Sequence, residues 1–120
     1  MSFQIVERNR GDVVILDVHG KLDVQSSPLL KVRLESLVNF GHQKIVINLT
    51  DVDFIDSTGA GSLMYAQKII NPVTGGLRLI GLSPQNTNVF SVLNLTDVLS
   101  IMKNEETAVS SFHRNDATMH

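Results

Sequence analysis

The run Lys44-Ile45-Val46-Ile47-Asn48-Leu49, followed by Asp51-Val52-Asp53-Phe54-Ile55-Asp56-Ser57-Thr58-Gly59-Ala60-Gly61-Ser62-Leu63, constrains this chain more than any other stretch. So dense an apolar segment reads as a strand buried on both faces, as parallel strands covered by helices are. Asp, Ser and Thr ahead of a periodic apolar segment are helix-start residues, because their side-chain oxygens accept from the first unpaired backbone N–H groups. Strand, loop and helix are therefore expected in succession, with Ser57 at or next to the helix N-terminus. Such an end carries partial positive charge and free donors, so it holds a phosphate, whether bound from solution or attached to the serine. Gly59 and Gly61 are expected to keep the first turn bare, letting another protein's surface approach the hydroxyl.

The flanking segments supply a sheet and its cover. Phe3 to Val6 and Val13 to Val18 read as strands, and Asn9-Arg10-Gly11-Asp12 between them as turn residues, which predicts an antiparallel hairpin. Gly20-Lys21-Leu22-Asp23 ends the second strand. Ser26 and Ser27 are expected to cap a helix that carries Pro28 in its first turn and ends at Gly41. Its Leu30, Leu34, Leu37 and Val38 fall on one stripe. The helix after Ser57 places Leu63, Ala66 and Ile70 on one face and closes at Asn71-Pro72. Leu77 to Ile80 reads as another strand and Ser83-Pro84 as the start of a short helix with Val89, Phe90 and Leu93. Val98 to Met102 is a candidate final strand. A last helix is expected over 105–113, Val109 and Phe112 facing inward, before a frayed polar tail over 114–120.

This order, two strands and then helix and strand in alternation, predicts a single α/β domain with a mixed sheet. Right-handed crossovers would gather the loops after Val18, Leu49 and Ile80 at one edge and bring Asp23 close to Ser57.

Among 120 residues, 42% are hydrophobic and 18% charged, and the formal net charge is -2. That balance is globular and offers no basic patch for nucleic acid. Without cysteine, disulfides and thiolate metal sites are excluded. The N-terminus lacks a basic region followed by an apolar core, and no apolar run approaches the ~18 residues of a membrane helix. A cytoplasmic protein without membrane contact is expected, which makes the sequons at Asn48 and Asn94 coincidental.

An enzyme is hard to build from these residues. Ser57 lacks a Gly-x-Ser-x-Gly elbow, since Ile55 stands at the first glycine position. His19, His42, His113 and His120 have no metal-ligand spacing. Met64 replaces the third glycine of a dinucleotide loop, and no Gly-Lys-Ser/Thr phosphate loop occurs. Asp51, Asp53 and Asp56 read as solvated loop acids rather than a magnesium cluster. No metal or cofactor is expected, and the chain is expected to receive phosphate rather than transfer it. Thr58 competes with Ser57 as the hydroxyl of interest, although it also suits a first-turn position.

Phe54-Ile55-Asp56-Ser57-Thr58-Gly59-Ala60-Gly61, preceded by Ile47-Asn48-Leu49, and the upstream Gly20-Lys21-Leu22-Asp23 resemble the STAS family, and within it the bacterial anti-sigma factor antagonists. The resemblance runs from about residue 4 to residue 110. It implies one STAS-like domain over 1–113, with about four to five strands and helices mainly on one sheet face. It also implies partner switching. An anti-sigma factor of the serine kinase type phosphorylates the first hydroxyl residue after the motif aspartate, here Ser57, and a phosphoserine phosphatase reverses this. The unphosphorylated form binds the anti-sigma factor and frees the sigma factor. Asp23 and Asp56 match the family's aspartates near that serine, with Thr58 and Gly59 adjoining it. The implied binding face runs from Asp53 to about Gln67 and includes Ser57, Thr58, Gly61 and Met64. Ala60 stands where leucine is commoner. A constitutive scaffold or transporter accessory subunit, and a small serine hydrolase, remain as alternatives.

Overall fold

The strand expected to stop at Leu49 continues to Ile55. A computed structural model describes residues 2–118, the side chains of 114–118 excepted. In it β3 (Lys44–Ile55) lies between β2 (Val13–Leu22) and β4 (Gly76–Ile80), parallel to both, while β1 (Gln4–Arg10) pairs antiparallel with β2. The mixed sheet therefore has four strands in the order β1-β2-β3-β4. The hairpin turn is tighter than the sequence implied. Asn9 and Arg10 stay in β1 opposite Val14 and Val13, leaving Gly11, at φ +61°, and Asp12 to reverse the chain.

Val98 to Met102 forms no strand. One parallel bridge, Leu79 to Ile101, is made before the chain turns at Asn104, whose side chain accepts from the Thr107 amide at 2.8 Å. That bond starts the next helix, so the segment has no length left for a ladder.

Three helices, α1 (Ser27–Asn39), α2 (Ser57–Ile69) and α3 (Pro84–Val92), cover one sheet face, and α4 (Glu105–Thr118) covers the other. Strand alternation divides the apolar residues accordingly. Val14, Leu16, Ile45 and Ile47 join Leu30, Leu34, Leu63 and Phe90 in the larger core, while Val13, Ile15 and Val46 meet Ala108 and Phe112 behind the sheet. The buried faces of α1 and α2 are those expected: Leu30, Leu34 and Leu37 on one, Leu63 and Ala66 with the C-cap Ile70 on the other. The backbone of α4 is helical to Thr118. The frayed tail expected over 114–120 concerns side chains and end residues outside those described.

Neither Ser26, at the N-cap position, nor Ser27, the first residue of α1, caps the helix with its side chain. Ser26 donates to the Lys21 carbonyl at 2.6 Å and accepts from the Asp23 amide, while Ser27 donates to the Asp23 carbonyl at 2.6 Å. Both hydroxyls tie the β2–α1 loop instead, because that loop curls over them and buries them.

Behind the sheet, Arg8 bridges Asp17 and Glu105, and Arg10 bridges Glu105 and Glu106. The Arg8 guanidinium holds the Asp17 carboxyl below its ordinary value against the opposing effect of burial, with Asn48 assisting. Glu105 is lowered likewise, first by Arg8 and then by Arg10. A carboxylate with a depressed folded pKa contributes stability above its unfolded pKa of about 4 and loses it as pH falls through the folded value. Arg8→Ala is therefore expected to lower Tm at neutral pH, with a deficit that shrinks below about pH 4. Thermal melts across that range check it, and a pH-independent deficit would contradict it.

Candidate functional site

One residue separates β3 from α2. Asp51 to Ile55, expected in a loop, belong to the strand: Val52 and Ile55 are buried while Asp51, Asp53 and Phe54 face solvent. The junction is Asp56, extended at φ -96° and ψ -176°. Its Oδ1 accepts from the Gly59 amide at 2.8 Å, so the N-cap is Asp56 rather than either hydroxyl. Ser57 and Thr58 become the first two residues of α2, both exposed. Among the described residues, no hydrogen bond engages the Ser57 hydroxyl. It sits outside the capping arrangement at the positive end of a thirteen-residue helix.

The Asp56 amide donates to the Leu22 carbonyl at 3.3 Å. Asp23 and Ser57 each follow a residue of this contact, so the two motifs meet at the carboxyl ends of β2 and β3. The Asp23 carboxylate is turned into its own loop, where Oδ1 accepts from the Gln25 amide at 3.0 Å and the Ser26 amide at 3.1 Å. Its place beside the site is thereby fixed.

The two glycines of the first turn serve different ends. A Cβ on Gly59 would stand 2.1 Å from the Leu22 carbonyl oxygen. Gly59 is buried, so it admits the end of β2 rather than a partner's surface. Gly61 is exposed with open space around it and keeps the role expected of both. Of the residues expected on a binding face, Asp53, Ser57, Thr58 and Gly61 are exposed, while Met64 is half-buried against the larger core. Asp51 pairs with His19 at 3.2 Å, and among the described residues no three acidic or histidine side chains gather as a metal site would need.

Sequence reasoning placed Val89, Phe90 and Leu93 on a short helix without assigning them a face. Phe90 is buried, but Val89 and Leu93, with Asn88 and Val92, line an open depression of about 290 Å³ whose far wall is Ser57. The position of α3 is set from beneath: Ser83 caps it by accepting from the Asn86 amide at 3.1 Å, and buried Asn86 donates from Nδ2 to the Val52 carbonyl at 3.0 Å. Asn86, an amide in an otherwise apolar helix stripe, was the signal available in the sequence. Among the described residues, no histidine, acid or lysine lines the depression.

A sequence profile of the STAS domain matches residues 4–108. The chain belongs to the STAS domain family. An anti-sigma-B factor antagonist of Bacillus subtilis is 32% identical over 104 residues, covering 87% of this STAS chain and 94% of that protein. The crystal structure of an anti-sigma factor antagonist from Mycobacterium paratuberculosis superposes with a TM-score of 0.85 at 19% identity, covering 93% of this chain and 95% of the other. The phosphorylated form of SpoIIAA, a Bacillus cell fate determinant, superposes at 0.67 and 23% identity, covering 92% and 98%. The last two share the STAS fold with this chain. No helix among the described residues is long and apolar enough to cross a membrane.

Proposed function

We infer that this STAS domain is an anti-sigma factor antagonist that works by partner switching, with Ser57 as the switch. The observation that carries this reading is the division of labour at the start of α2, where Asp56 caps the helix and leaves the Ser57 hydroxyl exposed and, among the described residues, without a hydrogen bond. The names of the relatives support it. In this reading the unmodified face around Ser57, Thr58, Gly61 and Asp53 binds an anti-sigma factor in the cytoplasm and so frees a sigma factor. The partner is also a serine kinase. The Ser57 Oγ takes the terminal phosphoryl group of ATP, the hydroxyl proton leaves, and ADP is released. A phosphoserine phosphatase restores the hydroxyl, and the chain itself catalyses neither step.

Phosphate adds about -1.5 to -2 charge at pH 7. The helix N-terminus accommodates it, whereas a docked protein surface must desolvate it. The test is the intact mass of the protein from its native cells, followed by peptide mapping. One added phosphate on Ser57 is expected. Phosphate on Thr58 would move the switch by one residue, and an unmodified population under every growth condition would favour the constitutive scaffold.

A further inference from the structure

We propose that the hollow between α4 and the amino ends of β3 and β4 binds an oxyanion, a phosphoryl or carboxylate group of a small molecule, with Arg78 as its principal ligand. Arg78 is the third residue of β4, and its side chain lies on the sheet face that α4 covers. The guanidinium carbon stands 4.3 Å from the centre of the Phe112 ring, Nε donates to the Ser111 hydroxyl at 2.7 Å, and Nη1 donates to the Leu77 carbonyl at 3.2 Å. Ser111 donates in turn to the Ala108 carbonyl at 2.7 Å. The cation is thus held and oriented from one side, while Nη2 has no acceptor among the described residues.

That guanidinium is half-buried without a carboxylate. Elsewhere behind the sheet, Arg8 and Arg10 each bridge two acids. Arg78 meets none among the described residues, and burial lowers its pKa. A charge taken out of water without a counter-ion is costly, and an anion drawn from solution offsets that cost.

The hollow has room for one. It measures about 310 Å³ and is lined by Lys44, Thr74, Arg78 and Ser111, with Val73 and Phe112 among its apolar walls. Among the described residues no acidic side chain lines it. Lys44 pairs with Asp12 at 2.7 Å, so two cations stand against one carboxylate and an excess positive charge remains. An arginine fork offers parallel N–H groups to two oxygens of one carboxylate or phosphate, a match that chloride lacks. The hollow lies at the opposite end of the sheet from Ser57, so its failure would leave the switch untouched.

The test titrates the full chain with sodium pyrophosphate and with sodium citrate, each against sodium chloride at equal ionic strength, reading heat of binding and Tm. Saturable binding at one site and a Tm above the chloride control are expected. Tighter binding of pyrophosphate identifies a phosphoryl ligand, and tighter binding of citrate a carboxylate. Arg78→Gln should weaken binding about tenfold or more. Val73→Asp places a negative charge on the lining at a valine that is 90% exposed, and should weaken it about threefold at low salt without disturbing the core. Val24→Asp, the same change at a 64% exposed valine beyond the carboxyl end of β2, should bind as wild type. If Arg78→Gln does not fold, the contrast between Val73→Asp and Val24→Asp decides. No heat and no Tm shift beyond chloride overturns the site, and so does equal binding by Val73→Asp and Val24→Asp.

Discussion

Ser57→Asp is expected to bind the anti-sigma factor about 5- to 150-fold more weakly than Ser57→Ala, the range of a coupling of about 1 to 3 kcal/mol. Both variants should fold. Ser57 occupies the first turn of α2 without serving as its cap, so removing the hydroxyl breaks no hydrogen bond among the described residues. An aspartate there faces the positive helix end and adds about 0.3 to 1 kcal/mol of stability at low salt. Ser57→Asp should therefore melt no lower than wild type while binding worse, a combination that separates recognition from folding. Its single charge is smaller than that of a phosphate, so the loss sets a lower bound on what phosphorylation does. Calorimetric titration with the purified partner, paired with melting curves, reads both quantities. Equal affinities for the two variants would remove Ser57 from the switch.

The helix start was legible because its cause is local. Asp56, Ser57 and Thr58 ahead of Leu63, Ala66 and Ile70 specify a cap and a stripe within fifteen residues, although which oxygen caps depends on the backbone angles of Asp56. The strand's true end was less legible. Asp51 and Asp53 read as loop because strand patterning assumes strict alternation, whereas Val52 and Ile55 lie three apart and both face the larger core. Shifts in register between Asp17 and His19, and between Gly20 and Lys21, let β2 follow β3 through that irregular stretch. The serines at 26 and 27 misled for the opposite reason, since a buried loop recruited hydroxyls that usually serve helices. The depression at Ser57 left only one trace in the sequence, the polar Asn86 in an apolar stripe, as it depends on how α3 leans against β3. That lean is held by the buried Phe90 and by the Asn86-to-Val52 hydrogen bond, across thirty-four positions.

Gly59 and Gly61 should respond to alanine with opposite signs, although they lie two residues apart in one helix. In an open helical position alanine is favoured over glycine by about 1 kcal/mol, because glycine loses more backbone freedom on folding. Gly61 is such a position, with nothing within 4 Å of where an alanine methyl would stand, so Gly61→Ala should raise Tm by a few degrees. At Gly59 the same methyl would meet the Leu22 carbonyl oxygen at 2.1 Å and its carbon at 2.8 Å. Both are backbone atoms of a strand inside the sheet, and Leu22 is itself fully buried, so neither can rotate aside. Relief requires the first turn of α2 to lift off β2, stretching the Asp56-to-Leu22 hydrogen bond and opening the core around Leu63. Overpacking of this kind costs about 3 kcal/mol, which outweighs the gain in helix propensity. Gly59→Ala should thus melt well below wild type and also displace Ser57 from the carboxyl end of β2, weakening partner binding through position rather than charge. Thermal denaturation of the two variants side by side decides it: a Gly59→Ala protein as stable as Gly61→Ala would mean that α2 does not rest on Leu22.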